Sequence, residues 1–560
     1  MDTAKTVLDM VRPGMFFTSI DLTDAYYCVN VDKDFRKYLC FFWNGKLYRF
    51  TCLPQGLTIS PRIYTKIMKV AISSLRENNI IISAYIDDLI IMSYSHKQCA
   101  EDFNISVNLL ERLGFVINWE KSDSTPRQNI QHLGLVIDSN SMTVKVNNEK
   151  INNIIDICKN LLEETNTLIL TVTSVIGTMV SYLPGAEHGH LHYRCLEHCK
   201  NEALKTNQFN YNKRMILNPN AIDDLNWWIN NINSQSTNLN TDHPSHFIKT
   251  DSSLSGWGAV MDDTVTNGFW TQEEKQLHIN VLELKAIEFG LKALCSEISN
   301  EHIRIKCDNT TAVAYINSKG GSKSMQNNYI AKNIWQWAID RDNAISAEHL
   351  PGILNIEADY ESRKQHSNKE WMLDNDVYET IIKHFNVTPT IDLFASRLNK
   401  KISRFISWKP DPEAECVDTF SQHINNEIFY AFPPFSIINK FLKKVELEQM
   451  EGILIAPAWS TQNYFPFLIK LSIQLPIAIK WRKNLLLDPT NLASHPLQNK
   501  LKLYAFHLST NHSKKLVFQK QLQILCCKAG ENPPLNNISV ILKNGNIFVN
   551  KLVKITPKLL

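Results

Sequence analysis

Ile80-Ile81-Ile82-Ser83-Ala84-Tyr85-Ile86-Asp87-Asp88-Leu89-Ile90-Ile91-Met92 sets two adjacent carboxylates between two apolar, β-prone runs, with no Gly, Pro or Asn to build an ordinary turn. The pattern predicts a buried hairpin that carries acids at its tip. Neighbouring carboxylates repel each other, and beside a core they stay ionised only where cations neutralise them. One reading is therefore a divalent-metal site, and the other is a solvated turn, where Asp is common. The surrounding sequence has to decide between them.

Working outward, Met15-Phe16-Phe17-Thr18-Ser19-Ile20 reads as a strand that delivers Asp21 at its C-terminal end, ahead of Leu22-Thr23-Asp24-Ala25-Tyr26-Tyr27. A strand-end acid beside a distant Asp pair is how a fold assembles a metal cluster from separate elements. Leu53-Pro54-Gln55-Gly56 precedes a helical run over about 60–76, opened by Pro61 near its first turn. After the acidic hairpin come a helix over about 97–113, the stretch Asn118-Trp119-Glu120-Lys121-Ser122, and a hairpin around His132-Leu133-Gly134-Leu135.

These pieces, in this order, resemble the palm of a retroelement reverse transcriptase. The motifs that carry the resemblance are Asp21 with Ala25-Tyr26, Leu53-Pro54-Gln55-Gly56 and its helix, Tyr85-Ile86-Asp87-Asp88, Lys121, and His132-Leu133-Gly134. The resemblance implies phosphoryl transfer from a dNTP to a DNA primer 3′-hydroxyl on an RNA template. Two Mg²⁺ (or Mn²⁺) ions about 4 Å apart would stabilise the charge that develops. Asp21 and Asp87 would bridge the ions and Asp88 would complete the acidic site. Tyr26 is the bulky residue that blocks a 2′-hydroxyl in the family, Gln55 and Gly56 face the incoming nucleotide, and Tyr85 packs near the primer end. Lys121 either helps pyrophosphate leave or is a surface lysine. The family places triphosphate-gripping Lys and Arg upstream of the first Asp, so the expectation is a chain that begins inside the fingers and binds nucleotide weakly alone. Residues 1–150 are then a palm with partial fingers.

Residues 151–243 open on Ile151-Asn152-Asn153-Ile154-Ile155-Asp156-Ile157-Cys158, whose apolar spacing predicts mainly helices, which the resemblance makes the thumb and connection. His188, His190, His192, Cys195, His198 and Cys199 cluster there, in spacings that match none of the usual zinc patterns. In residues 244–366, Asp251 ends a strand, Glu283 lies on a helix over about 279–296, Asp308 ends another strand, and Asp359 lies on a helix opened by Asn355. Leu282, Ala286, Phe289 and Ala293 give that Glu283 helix a buried stripe. A single such acid is usually an N-cap or a surface group; four at element ends in this order resemble ribonuclease H. The resemblance implies a four-carboxylate site of Asp251, Glu283, Asp308 and Asp359 holding two Mg²⁺ against the RNA strand of an RNA/DNA hybrid. His349 matches a loop histidine that aids product release in some members.

Residues 386–530 alternate apolar strands with helices: Thr390-Ile391-Asp392-Leu393, Phe429-Tyr430-Ala431-Phe432-Pro433-Pro434 and Ile453-Leu454-Ile455-Ala456-Pro457. The expected fold is a Rossmann-like α/β sheet. It is similar to the methyltransferase-like region of DIRS-type (tyrosine-recombinase) retrotransposons, in degenerate form, since no Gly-rich loop follows the first strand and Phe432 replaces a polar residue before Pro433-Pro434. Residues 531–560 form a basic tail. From residue 476 onward, 13 Lys and Arg face only Asp488 and Glu531, although the whole chain is only +3; this end suits either phosphates or solvent. The expectation for the 560-residue chain is multidomain α/β and α+β, acting as an RNA-directed DNA polymerase with ribonuclease H activity. The alternative is a truncated or domesticated copy that binds hybrid, or acts only as a ribonuclease H. The sequence shows neither a membrane span nor a secretory leader, which makes cytoplasm or nucleus the expected place, and it says nothing of oligomeric state.

Overall fold

The computed structural model describes residues 2–240, 243–364, 371–457, 459–490, 492–496 and 501–518. The basic tail and the last part of the 386–530 region lie outside these residues. The chain divides into two compact units, Met1–His243 with Ser318–Lys332, and Pro244–Asn317 with Asn333–Leu560.

The first unit is built on an antiparallel sheet. β1 (Phe16–Thr23) pairs along its length with β3 (Asp88–Ser93), which in turn pairs with β2 (Ile81–Tyr85). The apolar residues of the acidic hairpin bury on both faces: Ile82, Leu89 and Ile91 meet the helices α1 (Ser60–Glu77) and α2 (His96–Arg112), while Ile90 and Met92 join the core below. That two-sided burial explains why the runs read as continuous rather than alternating. Asp21 lies inside β1, not at its end as the sequence suggested, because the strand continues to Thr23 by pairing with Val116–Ile117. β1 is flanked in this way by β4 (Val116–Ile117) and also by β5 (Asp123–Arg127). Leu133 and Gly134 both have positive φ, 52° and 76°, so the predicted hairpin is closed by a tight two-residue turn between β6 (Asn129–His132) and β7 (Leu135–Asp138), and β7 pairs on with β8 (Thr143–Val146).

Four helices follow, α3 (Asn148–Glu163), α4 (Ile169–Tyr182), α5 (Arg194–Thr206) and α6 (Pro219–Asn231). The histidine-rich stretch before α5 is used for packing, and no metal cluster forms there among the described residues. Trp228 is wholly buried and its indole N–H donates to the His192 carbonyl at 2.8 Å, while Trp227 stacks on the His192 ring at 4.2 Å. Residues 318–332, which the sequence places inside 244–366, belong to this unit. Lys319 donates to the Glu187 carbonyl at 3.0 Å, and Lys332 lies 3.5 Å from the buried Asp224.

Among the described residues the second unit holds two five-stranded sheets, with two short two-stranded pairings beside them. The first has the order β11 (Thr264–Phe269), β10 (Gly256–Met261), β9 (His246–Ser252), β12 (His302–Cys307), β13 (Ala344–His349), with β9, β12 and β13 parallel. Helices α7 (Ile279–Leu294) and α8 (Ile356–Arg363) carry the remaining predicted acids. α7 is buried almost all round from Val281 to Leu291, not along one stripe. The sheet covers one side, and Arg397 stacks 4.7 Å from the Phe289 ring on another.

The second sheet has the order β14 (Ile391–Asp392), β15 (Ile428–Ala431), β16 (Glu451–Pro457), β18 (Leu503–Ser509), β17 (Ile477–Ile479). β14, β15 and β16 are parallel, and β18 runs antiparallel between β16 and β17. The three parallel strands are those read from the sequence. β18 contains His507 inside an otherwise apolar run and was not anticipated.

Candidate active sites

In the first unit, register does the positioning. Asp21 and Asp88 are direct cross-strand partners in β1 and β3, and Tyr85 pairs with Asp88 across the two-residue turn Ile86–Asp87. The Leu22 N–H donates to the Asp87 carbonyl at 3.0 Å, which fixes the turn to the strand beside it. Ile86 has φ +59°, a left-handed conformation that a β-branched residue adopts only under constraint. Such strain concentrates where a fold must present a particular side chain. Here it lies in the turn that presents Asp87 and Asp88.

The three carboxylates adjoin without converging on one point. Burial, reinforced by the charges of Asp87 and Asp21, pushes the Asp88 carboxyl up to about 6, and the Lys121 ammonium pulls it the other way. Lys121 is exposed, yet it acts on this site. Burial and then the charges of Asp87 and Tyr85 raise the Tyr26 hydroxyl, and the Tyr26 ring packs edge-on against Tyr64 at 5.7 Å. Gln55 and Gly56 are exposed in a loop tied to α1 by the Ser60 hydroxyl, which donates to the Pro54 carbonyl at 2.9 Å. Gly56 has φ +86°, open to glycine and strained for other residues. Sequence reasoning passed over Ser122, whose Oγ accepts from the Asp21 N–H at 3.0 Å and donates to the Asn118 carbonyl at 2.7 Å.

The second site sits on the parallel strands. Lys249 of β9 is paired with Lys306 of β12, so continuing the register sets Asp251 beside Asp308. Asp251 and Glu283 are each 4 % exposed. Burial first, then the charges of Asp308 and Asp359, push Asp251 up to about 6, against the Ser362 hydroxyl that donates to it at 2.6 Å. Burial and the charges of Asp251 and Asp308 push Glu283 up to about 9. Asp359 is held by Arg363 at 2.6 Å. Asp308 and Asp359 thus act on Asp251, and Asp251 and Asp308 act on Glu283, and each added cation would relieve that repulsion. The chemistry of the set fits divalent metal: hard carboxylate oxygens, partly desolvated, with too few cations of their own.

Glu283, Asp308 and Cys307 form the one group among the described residues whose potential ligand atoms lie within 4.8 Å of one another. Cys307 was missed by sequence reasoning; a lone Cys before Asp308 gave no signal. Ser362 was missed too, and Asn355 was read only as the residue that opens the helix. Asn355 donates to the Thr250 carbonyl at 3.0 Å and so pins the start of α8 next to Asp251. His349 is exposed at the end of β13, paired with Cys307. A methyl group built on Gly352 would lie 3.2 Å from Asp308 Oδ2, so the loop that follows His349 runs against the acid.

Comparison with known proteins gives two domain matches. Residues 5–137 match the family model described as reverse transcriptase (RNA-dependent DNA polymerase), and residues 245–364 match one described as reverse transcriptase-like. The Gag-Pro-Pol polyprotein of Human T-cell leukemia virus 2 is 29% identical over 134 residues, 22% of this chain and 9% of that protein. The enzymatic polyprotein of Figwort mosaic virus (strain DxS) is 23% identical over 375 residues, 63% of this chain and 51% of that protein. The chain spans about half the length of the second relative and far less of the first. A solved foamy viral protease-reverse transcriptase in complex with RNA/DNA hybrid superposes with a TM-score of 0.36 at 16% identity, covering 66% of this chain and 48% of that one. That superposition is too loose to add to the domain matches. The chain carries a reverse transcriptase domain and a ribonuclease H-like domain, and retroviral and caulimovirus-type polyproteins are its homologues.

Proposed function

We propose that this chain copies RNA into DNA and degrades the RNA of the resulting hybrid, as the enzymatic part of a DIRS-like retroelement. The observation that carries this reading is the pair of carboxylate sets, each drawn from distant stretches of sequence and each held together against the mutual repulsion of its acids. Each set would hold two divalent cations, which when bound would supply a Lewis acid for the reacting phosphate and lower the pKa of the attacking hydroxyl or water. In the palm, Asp21, Asp87 and Asp88 hold them, Tyr26 restricts the space beside Asp87, Gln55 and Gly56 line the nucleotide side, Tyr85 backs the primer end, and Lys121 offsets charge at Asp88. In the second unit, Asp251, Glu283, Asp308 and Asp359 hold the ions, and His349 stands exposed at the rim. The substrates are RNA template, DNA primer, dNTPs and RNA/DNA hybrid.

The C-terminal sheet is a degenerate methyltransferase-like module in this reading. Asp392 at the end of β14 is occupied by backbone, accepting from Lys401 N–H at 3.1 Å and Phe394 N–H at 3.4 Å. Phe432 before Pro433 offers no acceptor for an amine. The function is tested with a labelled RNA/DNA hybrid and Mg²⁺. The protein should cut the RNA strand, and Asp308→Asn, which removes a metal ligand, should abolish cutting; uncut hybrid with the unmodified protein refutes the nuclease half.

A further inference from the structure

We propose that the loop of residues 396–411 in the C-terminal module is a two-point clamp that positions the ribonuclease H carboxylates, with Arg397 and Lys409 as positioning residues. The inference rests on the ribonuclease H reading and gives the C-terminal module a role in that site.

The first point is Arg397. Its side chain is 9 % exposed and its guanidinium grips Glu274 in a fork, 3.1 and 2.9 Å, while also donating to the Phe269 carbonyl at 2.9 Å. A buried guanidinium is costly unless its donors are matched, and here they are matched by Glu274 and the Phe269 carbonyl, both in the ribonuclease H-like domain. The same group stacks on Phe289. Glu274 leads into α7 and Phe289 lies on it, so Arg397 holds the helix that carries Glu283 from two sides.

The second point is Lys409. Its ammonium donates to the Asn267 side-chain carbonyl, and the Asn267 amide N–H₂ donates to Glu361. Asn267 and Glu361 are both buried. An ammonium can only donate, so it forces the Asn267 oxygen towards itself and leaves the amide nitrogen facing Glu361. Glu361 is on α8 between Asp359 and Ser362, the residue that donates to Asp251. Next to this chain of contacts the Thr266 hydroxyl donates to the Pro410 carbonyl. Simple domain packing would be satisfied anywhere on the surface. These contacts fall instead on β11, on Glu274 just ahead of α7 and on Phe289 of α7, and through Asn267 they reach Glu361 of α8, so they bear on the two helices that supply Glu283 and Asp359.

The test uses the full chain with Arg397→Met, Lys409→Met, Lys409→Arg and Asn267→Ala, and with Lys400→Met as control, because Lys400 pairs within its own module with Glu413. Hydrogen exchange without substrate should show faster exchange over 356–363 in Lys409→Met and Asn267→Ala, and over 282–290 in Arg397→Met. In hybrid cleavage the same three variants should need about ten times more Mg²⁺ for half-maximal rate, the usual scale for losing an outer-shell partner, with KM for the hybrid unmoved. Lys409→Arg should restore most of the loss, and Lys400→Met should match the unmodified protein. Unchanged exchange over 356–363 in both Lys409→Met and Asn267→Ala overturns the clamp, as does a change in KM alone. Exchange needs no turnover, so a protein that cuts no hybrid refutes the ribonuclease reading while the clamp is still decided.

Discussion

Asp251 and Glu283 have carboxyls pushed up to about 6 and about 9 by burial and by each other's neighbourhood of acids. Their unfolded values are near the ordinary ~4. A raised folded value means that their contribution to stability is full below about pH 4 and is lost as pH rises through about 6 for Asp251 and about 9 for Glu283. Metal-free protein should therefore melt lower at pH 9 than at pH 5, and Glu283→Gln should flatten that slope; an unchanged slope contradicts the account. Since cations bind the deprotonated acids, the Mg²⁺ needed for half-maximal cleavage should fall as pH rises over the same range. In the palm, Tyr26→Ala should raise incorporation of ribonucleotides relative to deoxynucleotides, read from primer extension with each set. At this scale the sequence was most informative where one residue type has one use. Acids at Asp21, Asp87, Asp88, Asp251, Glu283, Asp308 and Asp359 could be named from pattern. Cys307, Ser122 and Ser362 could not, because a thiol or hydroxyl beside an acid looks the same in sequence whether or not it touches it.

At the scale of elements, α8 lies directly on β10. A methyl group on Gly258 would sit 2.5 Å from the Ala358 carbonyl and 2.7 Å from the Ser362 nitrogen, both backbone atoms that cannot yield without moving the helix. Gly258→Val should thus displace Asp359 and Ser362, abolishing hybrid cleavage and lowering the melting temperature; retained cleavage would show that α8 does not depend on this contact. In the first unit, Asp224 accepts the Cys195 and Leu196 N–H groups at 2.9 and 3.2 Å, at the start of α5. Asp224→Ala strands those donors and leaves Lys332 without its acid, a cost of about 3 kcal/mol in urea unfolding. Asp224→Asn keeps an acceptor and should cost less. Strands with acids and helices opened by Pro61 or Asn355 were legible because their signals are local. The full burial of α7 was not, since the Arg397 that covers Phe289 comes from more than a hundred positions further along the chain.

At the scale of the whole molecule, the order of motifs reads as a polymerase-like region followed by a nuclease-like one, and the family matches cover residues 5–137 and 245–364. The grouping of Ser318–Lys332 with the first unit was not legible, because Lys319 and Lys332 read as ordinary surface charges until Glu187 and Asp224 are placed beside them. Two chemically independent sites on one chain predict independent losses. The most direct measurement is a single reaction on an RNA template with a labelled DNA primer, dNTPs and Mg²⁺, following primer length and template length together. Asp87→Asn should stop extension yet leave added hybrid cleavable, and Asp308→Asn should extend the primer while the template stays whole. If both activities persist in these variants, or if each substitution removes both, the two-site account is contradicted.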